Sequence, residues 1–294
     1  MGVFAHPHPG PPLEREGVHQ FIDTHCHLDA REFDVDRDGV ALAALDSGVS
    51  VIVVPAVERA NFERVCSLAE QHQHCAIALG IHPMYVDNAQ PEDLSFLAEL
   101  VAQKQPVAIG EIGLDFFVEG FNRERQEYYF VEQLKLARQF DLPVILHVRR
   151  AVDDILKHLR RIKIKGGIAH AFNGSKQQAE EFIKLGFKLG FGGAMTYPRA
   201  LKIRELAATL PLEAIVLETD APDIPPEWLG LQGKMDSQGR NSRRNSPDQL
   251  PKIAQVLADL RGLKLMQVAE ITTQNAFNVL PKLADLYTPA HVPH

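Results

Sequence analysis

Residues able to bind a divalent cation or move a proton recur in this chain at one kind of place, the C-terminal end of a short apolar run. His25 and His27 follow "FID", His82 follows "CAIALGI", Glu111 lies in "PVAIGEIGLD", and His147, His170 and Asp220 close "PVIL", "GGIA" and "AIVLET". One histidine at a strand end is ordinarily structural, because imidazole satisfies nearby backbone groups. Repetition at five strand ends changes the reading, since imidazole nitrogen with carboxylate oxygen suits zinc, manganese and similar ions. One tetrahedral ion takes about four ligands. His25, His27, Glu111, His147, His170 and Asp220 exceed that, so the pattern points to two divalent ions sharing a carboxylate, an arrangement that clamps the attacking and leaving oxygens of a displacement. His25 and His27, two residues apart, share one face of an extended segment. Cys26 points the other way and reads as a small buried apolar residue.

Such residues need a scaffold that brings strand ends together. Apolar runs cover 21–25, 49–56, 75–83, 106–115, 143–148, 166–172, 187–194 and 214–222. Most are rich in Val, Ile and Leu without strict alternation, as parallel strands covered by helices are. Between them lie helical patterns such as "RANFERVCSLAEQH", a segment after a possible Asn122 N-cap, one between Ser175 and Gly186, and "PRALKIRELAATL". Two more are expected at about 247–261 and 266–280. The order fits a (β/α)8 TIM barrel, with an open doubly wound sheet as the alternative. Ligands at many strand ends favour the barrel, whose mouth gathers them, over an open sheet with one switch point. The expectation is a single barrel domain over 20–283 with the metal site at the C-terminal mouth of its strands. Residues 1–19, rich in Pro, Gly and His and including His6 and His8, read as a flexible extension, and 284–294 as a tail.

A formal charge of −7 gives no support for a broad basic face that grips duplex DNA, so a polyanion would be held by a small site or a metal. Cys26, Cys66 and Cys75 form no CxxC pair, which suggests reduced thiols and a cytoplasmic location. No apolar run approaches the roughly 20 residues of a membrane span. No membrane partner and a monomer are expected.

The motifs "DTHCHLD", "GIHP", "GEIGLDF", "QLKLARQFDLPVILHVR", "HAFNGS", "ETDAP" and "RNSP", in this order, resemble the TatD family of metal-dependent hydrolases and deoxyribonucleases, in its YjjV-like branch, over about residues 20–281. The resemblance implies that His25, His27, Glu111 and Asp220 hold one ion, and that Glu111, His147 and His170 hold a second. Related barrels bridge their metals with a carboxylated lysine, whereas here the residue is Glu111. The implied activity is hydrolysis of nucleic-acid phosphodiesters, as a 3′-to-5′ exonuclease on single-stranded DNA using Mg²⁺, Mn²⁺ or Zn²⁺. Alternatives are an ester or amide hydrolase of the same superfamily, such as an aminoacyl-tRNA deacylase, and a non-catalytic metal-binding barrel.

A divalent ion brings the pKa of bound water toward neutrality, and Asp220 is placed to accept a proton as general base. Arg149, two residues after His147, shares its strand face. The long connection after Asp220 carries Arg240, Arg243 and Arg244, whose guanidinium groups match phosphate oxygens. Arg244 and Asn245, in "RNSP", join Arg149 and His82 as candidate substrate contacts. Trp228 reads as packing, His72 and His74 as solvated, and Asp23 and Asp29 as partners of the histidines or nearby backbone.

Overall fold

The computed structural model describes residues 20–230 and 244–286. The expected N-terminal extension with His6 and His8, together with Arg240, Arg243 and most of the C-terminal tail, lies outside the described residues. Strands and helices alternate: β1 (Phe21–Asp23), α1 (Arg37–Asp46), β2 (Val49–Pro55), α2 (Phe62–Gln71), β3 (Cys75–Leu79), α3 (Pro91–Lys104), β4 (Ala108–Asp115), α4 (Arg123–Gln139) and β5 (Val144–Arg149). The second half continues with α5 (Val152–Arg161), β6 (Gly167–Ala169), α6 (Lys176–Lys184), β7 (Phe187–Phe191), α7 (Leu201–Thr209) and β8 (Ile215–Leu217). Then come α8 (Leu250–Arg261), α9 (Leu265–Val279) and α10 (Leu283–Leu286), the last crossing into the segment expected to be a tail. All eight strands are parallel and pair in chain order. The circle closes where the Thr24 backbone N–H and hydroxyl both donate to the Leu217 carbonyl, at 3.1 and 3.0 Å. This is the (β/α)8 barrel.

Alternation along the strands divides the apolar residues into two layers. Ile22, Val51, Val53, Ala76, Ala78, Ala108, Ile145, Ile168 and Val216 form one buried cluster, which Ala276 and Phe277 of α9 join. Their neighbours, among them Ile52, Val54, Leu79, Leu146, Leu189 and Leu217, join the helices in the other. Cys26 is fully buried in that outer layer, as its parity predicts.

Helix starts follow the expected caps. Asn122 Oδ1 accepts from the Arg125 N–H, and Ser175 and Gln178 satisfy each other's backbone N–H groups. A cap of this kind is worth about 1 kcal/mol. Helices α1, α3 and α5 have no counterpart among the segments read from sequence. No helix among the described residues is long and apolar enough to cross a membrane.

Candidate metal centre

The parity that sends Ile145, Ile168 and Val216 inward also places their i+2 neighbours. His147 and His170 lie at the barrel mouth, as does Glu218 beyond Val216; Asp220 follows outside regular strand, at φ +57°. Glu111 projects where the β4–β5 register shifts between Ile109 and Ile112. Gly113, at φ +149°, lets β4 approach β5 there, since a Cβ would lie 2.0 Å from the His147 carbonyl oxygen. β1 is shorter than its apolar run, ending at Asp23, so His25 and His27 stand just beyond regular strand. They still converge, with Nε2 atoms 3.2 Å apart. Cross-mouth hydrogen bonds hold them there: the His27 N–H donates to the Ala221 carbonyl at 2.7 Å and the Asp220 N–H to the His25 carbonyl at 2.8 Å.

The six residues form two groups around one carboxylate. Glu111 Oε2 lies 3.2 Å from His25 Nε2 and 3.5 Å from His27 Nε2, while Asp220 Oδ1 lies 3.5 and 3.7 Å from the same nitrogens. A tetrahedral ion with bonds of about 2.1 Å sets its ligand atoms roughly 3.4 Å apart, so these four atoms have the spacing a bound ion requires. Glu111 Oε1 faces the other way, 2.8 Å from His170 Nε2 and 3.0 Å from His147 Nδ1, which are 3.4 Å from each other. His25, His27 and Asp220 could hold one cation, with Glu111 Oε2 beside them. Glu111 Oε1 with His147 and His170 could hold a second, and Glu111 also groups with His25 and His170 and with His82 and His147.

The protonation pattern fits that donor set. Burial pushes the imidazoles toward neutrality, yet Glu111 raises His27 to about 9 and His170 to about 10. Burial would raise Glu111, but the imidazoles of His170, His82 and His25 hold it well below the usual carboxylate range. His25, buried beside His170, is instead driven well down. Burial raises Asp220. The carboxylates of Glu111 and Asp220 set negative charge against the ring nitrogens of His27 and His170, an arrangement that favours bound cations.

Outside this group lie two carboxylates that sequence reasoning missed. Asp115 Oδ2 is 3.0 Å from His147 Nε2, and its Oδ1 accepts from the Phe117 and Val118 N–H groups. Burial would raise it, but His147 and these donors draw it down to about 2. An ionised Asp115 keeps a proton on Nε2 and leaves Nδ1 facing Glu111 for a cation. Its signal was its place, four residues after Glu111 at the end of the same apolar run. Glu218 accepts from the Ala171 N–H at 2.5 Å and lies 3.8 Å from His170 Nδ1; burial raises it to about 8. Gly190 makes room for it, since a Cβ would lie 2.1 Å from Glu218 Oε2. Asp23, expected to serve a histidine or nearby backbone, accepts from the Thr219 N–H and hydroxyl and from the His25 N–H. Asp29 accepts from the Asn61 amide.

The candidate substrate contacts separate. His82 accepts the Met84 N–H on Nδ1, so its neutral ring carries a proton on Nε2, 3.4 Å from Glu111 Oε1. Burial lowers it to about 4 and keeps it neutral, which makes it a hydrogen-bond donor at the mouth rather than a ligand. Arg149 is half exposed, with one guanidinium nitrogen 3.8 Å from Asp115 Oδ2. Arg244 and Asn245 are already engaged within the fold. The Arg244 guanidinium forms a fork on Asp36, at 2.8 Å to each oxygen, and bonds the Glu32 carbonyl. Asn245 is fully buried, and its amide donates to the carbonyls of Thr219, Asp223 and Ile224, which ties down the loop that carries Asp220. Trp228 packs against the core and donates to Gln249. His72 and His74, expected to be solvated, are instead half-buried, on Asp38 and the Ala41 carbonyl respectively.

The family model described as "TatD related DNase" matches residues 22–281. The uncharacterized metal-dependent hydrolase YjjV of Escherichia coli K12 is 42% identical over 263 residues, covering 88% of this chain and 97% of that protein. Its crystal structure superposes with a TM-score of 0.83, covering 90% of this chain and 98% of the other. The 3′-5′ ssDNA/RNA exonuclease TatD of Cronobacter sakazakii is 34% identical over 266 residues, covering 90% of this chain and 98% of that protein. With the barrel and its clustered histidines and carboxylates in place, these matches assign the chain to the TatD family of metal-dependent hydrolases.

Proposed function

We propose that this hydrolase cleaves nucleic-acid phosphodiesters and shortens single strands from the 3′ end with two divalent ions, Mg²⁺, Mn²⁺ or Zn²⁺. One observation carries the reading: Glu111 turns one oxygen to His25 and His27 and the other to His147 and His170. The named activity of the TatD relatives supports the substrate class. Ions held by these residues and Asp220 would activate water and offset charge on the phosphoryl oxygens. Asp220 is the most exposed carboxylate of the group, with 12% of its side chain accessible against 2% for Glu111, and it takes the proton from the attacking water. His82 donates through Nε2, and the Arg149 guanidinium meets phosphate oxygens at the rim.

Purified protein with Mg²⁺ or Mn²⁺ is expected to shorten a labelled single-stranded oligonucleotide on a denaturing gel. Chelation with EDTA and the substitution His147→Ala should each stop it. Full activity in both, or turnover of small carboxylic esters and aminoacyl-tRNA but of no phosphodiester, would refute the proposal.

Asp115→Asn has a narrower expected effect. An Asn amide no longer enforces the proton on His147 Nε2, so the affinity of the ion beside His147 and His170 should fall about 10–100-fold while the other ion is retained. Isothermal titration with Mn²⁺ separates the two binding steps; equal weakening of both would exclude this role.

A further inference from the structure

A cavity of about 540 Å³ opens beside the cluster, between the segments that follow β4, β5 and β6, the strands that bring Glu111, His147 and His170 to the mouth. It has the size of a small-molecule site. Its wall is an unusual stack. Phe117 is exposed, and the guanidinium carbons of Arg149 and Arg150 lie 3.9 and 4.5 Å from its ring centre. Consecutive residues of a strand point to opposite faces. Here Arg150 turns to φ +53°, a conformation that a non-glycine residue seldom adopts, and both arginines reach the same ring. The lining also carries polar groups beside Val148, Ala151 and Val152. Asn173 is exposed, and Asp153 is held by the Gln178 amide at 2.9 Å.

Two cations alone would suit any phosphate, but the lining pairs them with an aromatic ring and with acceptors. A nucleotide needs that mixture: guanidinium for its phosphate, a π-face or guanidinium plane for stacking, and carboxylate or amide oxygens for the amino groups of a base. We propose that this cavity is a nucleotide subsite, which receives the unit next to the scissile phosphate and sends the single strand over the β4–β6 side of the mouth. The subsite rests on the phosphodiesterase reading above and adds Phe117, Arg150 and Asn173 as residues that determine specificity.

The test compares two substrates on the full-length enzyme, a single-stranded DNA octamer and methyl p-nitrophenyl phosphate, which offers a diester without any nucleotide. Phe117→Ala and Arg150→Ala should each lower kcat/KM for the octamer about tenfold relative to the small diester, mainly through KM. Phe117→Trp should retain the octamer rate, which would show that stacking rather than folding was lost. A ratio that stays within about twofold of wild type, or equal losses on both substrates, would overturn the subsite while leaving the nuclease reading intact. If wild-type enzyme hydrolyses the small diester but no oligonucleotide, the nuclease reading fails and the subsite fails with it.

Discussion

Glu111→Ala should lower turnover of single-stranded DNA by more than about a thousandfold and strip both ions from the protein. The magnitude follows from position: among the described residues, Glu111 is the side chain whose two oxygens face both histidine groups, at 2.8 to 3.5 Å. Removing it takes the shared anion from two cations at once, and charge stabilisation by bound metal is among the strongest effects lowering the barrier of such reactions. His27→Ala removes a donor from one group only and should leave the other ion bound. Glu111→Gln keeps the shape of the side chain and separates lost charge from lost packing. It should match the alanine variant in activity while keeping the near-UV circular dichroism of the wild type. Elemental analysis by plasma mass spectrometry reads the ions directly. Two bound ions in Glu111→Ala would show that the carboxylate is not their bridge.

The legible part of this site is the part that obeys strand periodicity. His147 and His170 sit two residues after Ile145 and Ile168, so an apolar run that ends in a polar residue reveals both strand and mouth. Asp220, beyond the end of β8 and at φ +57°, is legible by residue type. Glu111 is legible by residue type, although the register shift that aims it is not. Asp115 escapes sequence reasoning because a carboxylate that orients a ligand looks in sequence like any acid at a strand end, and its role appears only as a distance to a ring nitrogen. Glu218 escapes it in the same way, since its partner is the Ala171 N–H, distant in sequence. Arg244 and Asn245 show the converse failure. Guanidinium and amide groups suit phosphate and backbone carbonyls equally, and partners at Asp36 and Thr219, distant in sequence, decide between them. Among the helices, α1 is hidden because Leu42 and Leu45 are exposed while small Val40, Ala41 and Ala44 face the core, so its apolar residues form no stripe. α5 has a clear stripe in Ile155, Leu156 and Leu159, but its start abuts β5 and its N-cap, Ala151, supplies no capping side chain to mark the boundary.

Asp220→Asn should lower kcat about a hundredfold to ten-thousandfold, the range expected for loss of a general base, and should remove the acid limb of its pH profile at saturating metal. A base works only when deprotonated, so wild-type kcat must fall as pH drops through the Asp220 pKa. Burial raises that pKa in the free protein, which favours proton acceptance, and bound cations would bring it back down. The carboxylate is held for this task by backbone in a costly conformation. Asp220 has φ +57°, its N–H donates to the His25 carbonyl and its own carbonyl accepts from the Asp223 N–H, both at 2.8 Å. The buried Asn245 amide clamps the residues on either side. An Asn at 220 keeps an oxygen for the ion beside His25 and His27 but cannot accept the proton. Metal content therefore separates the two roles. Retained metal with a flat acid limb identifies Asp220 as the base. Retained metal with an unchanged limb and a loss of only a few-fold would make it a ligand alone and move proton transfer to another group at the mouth.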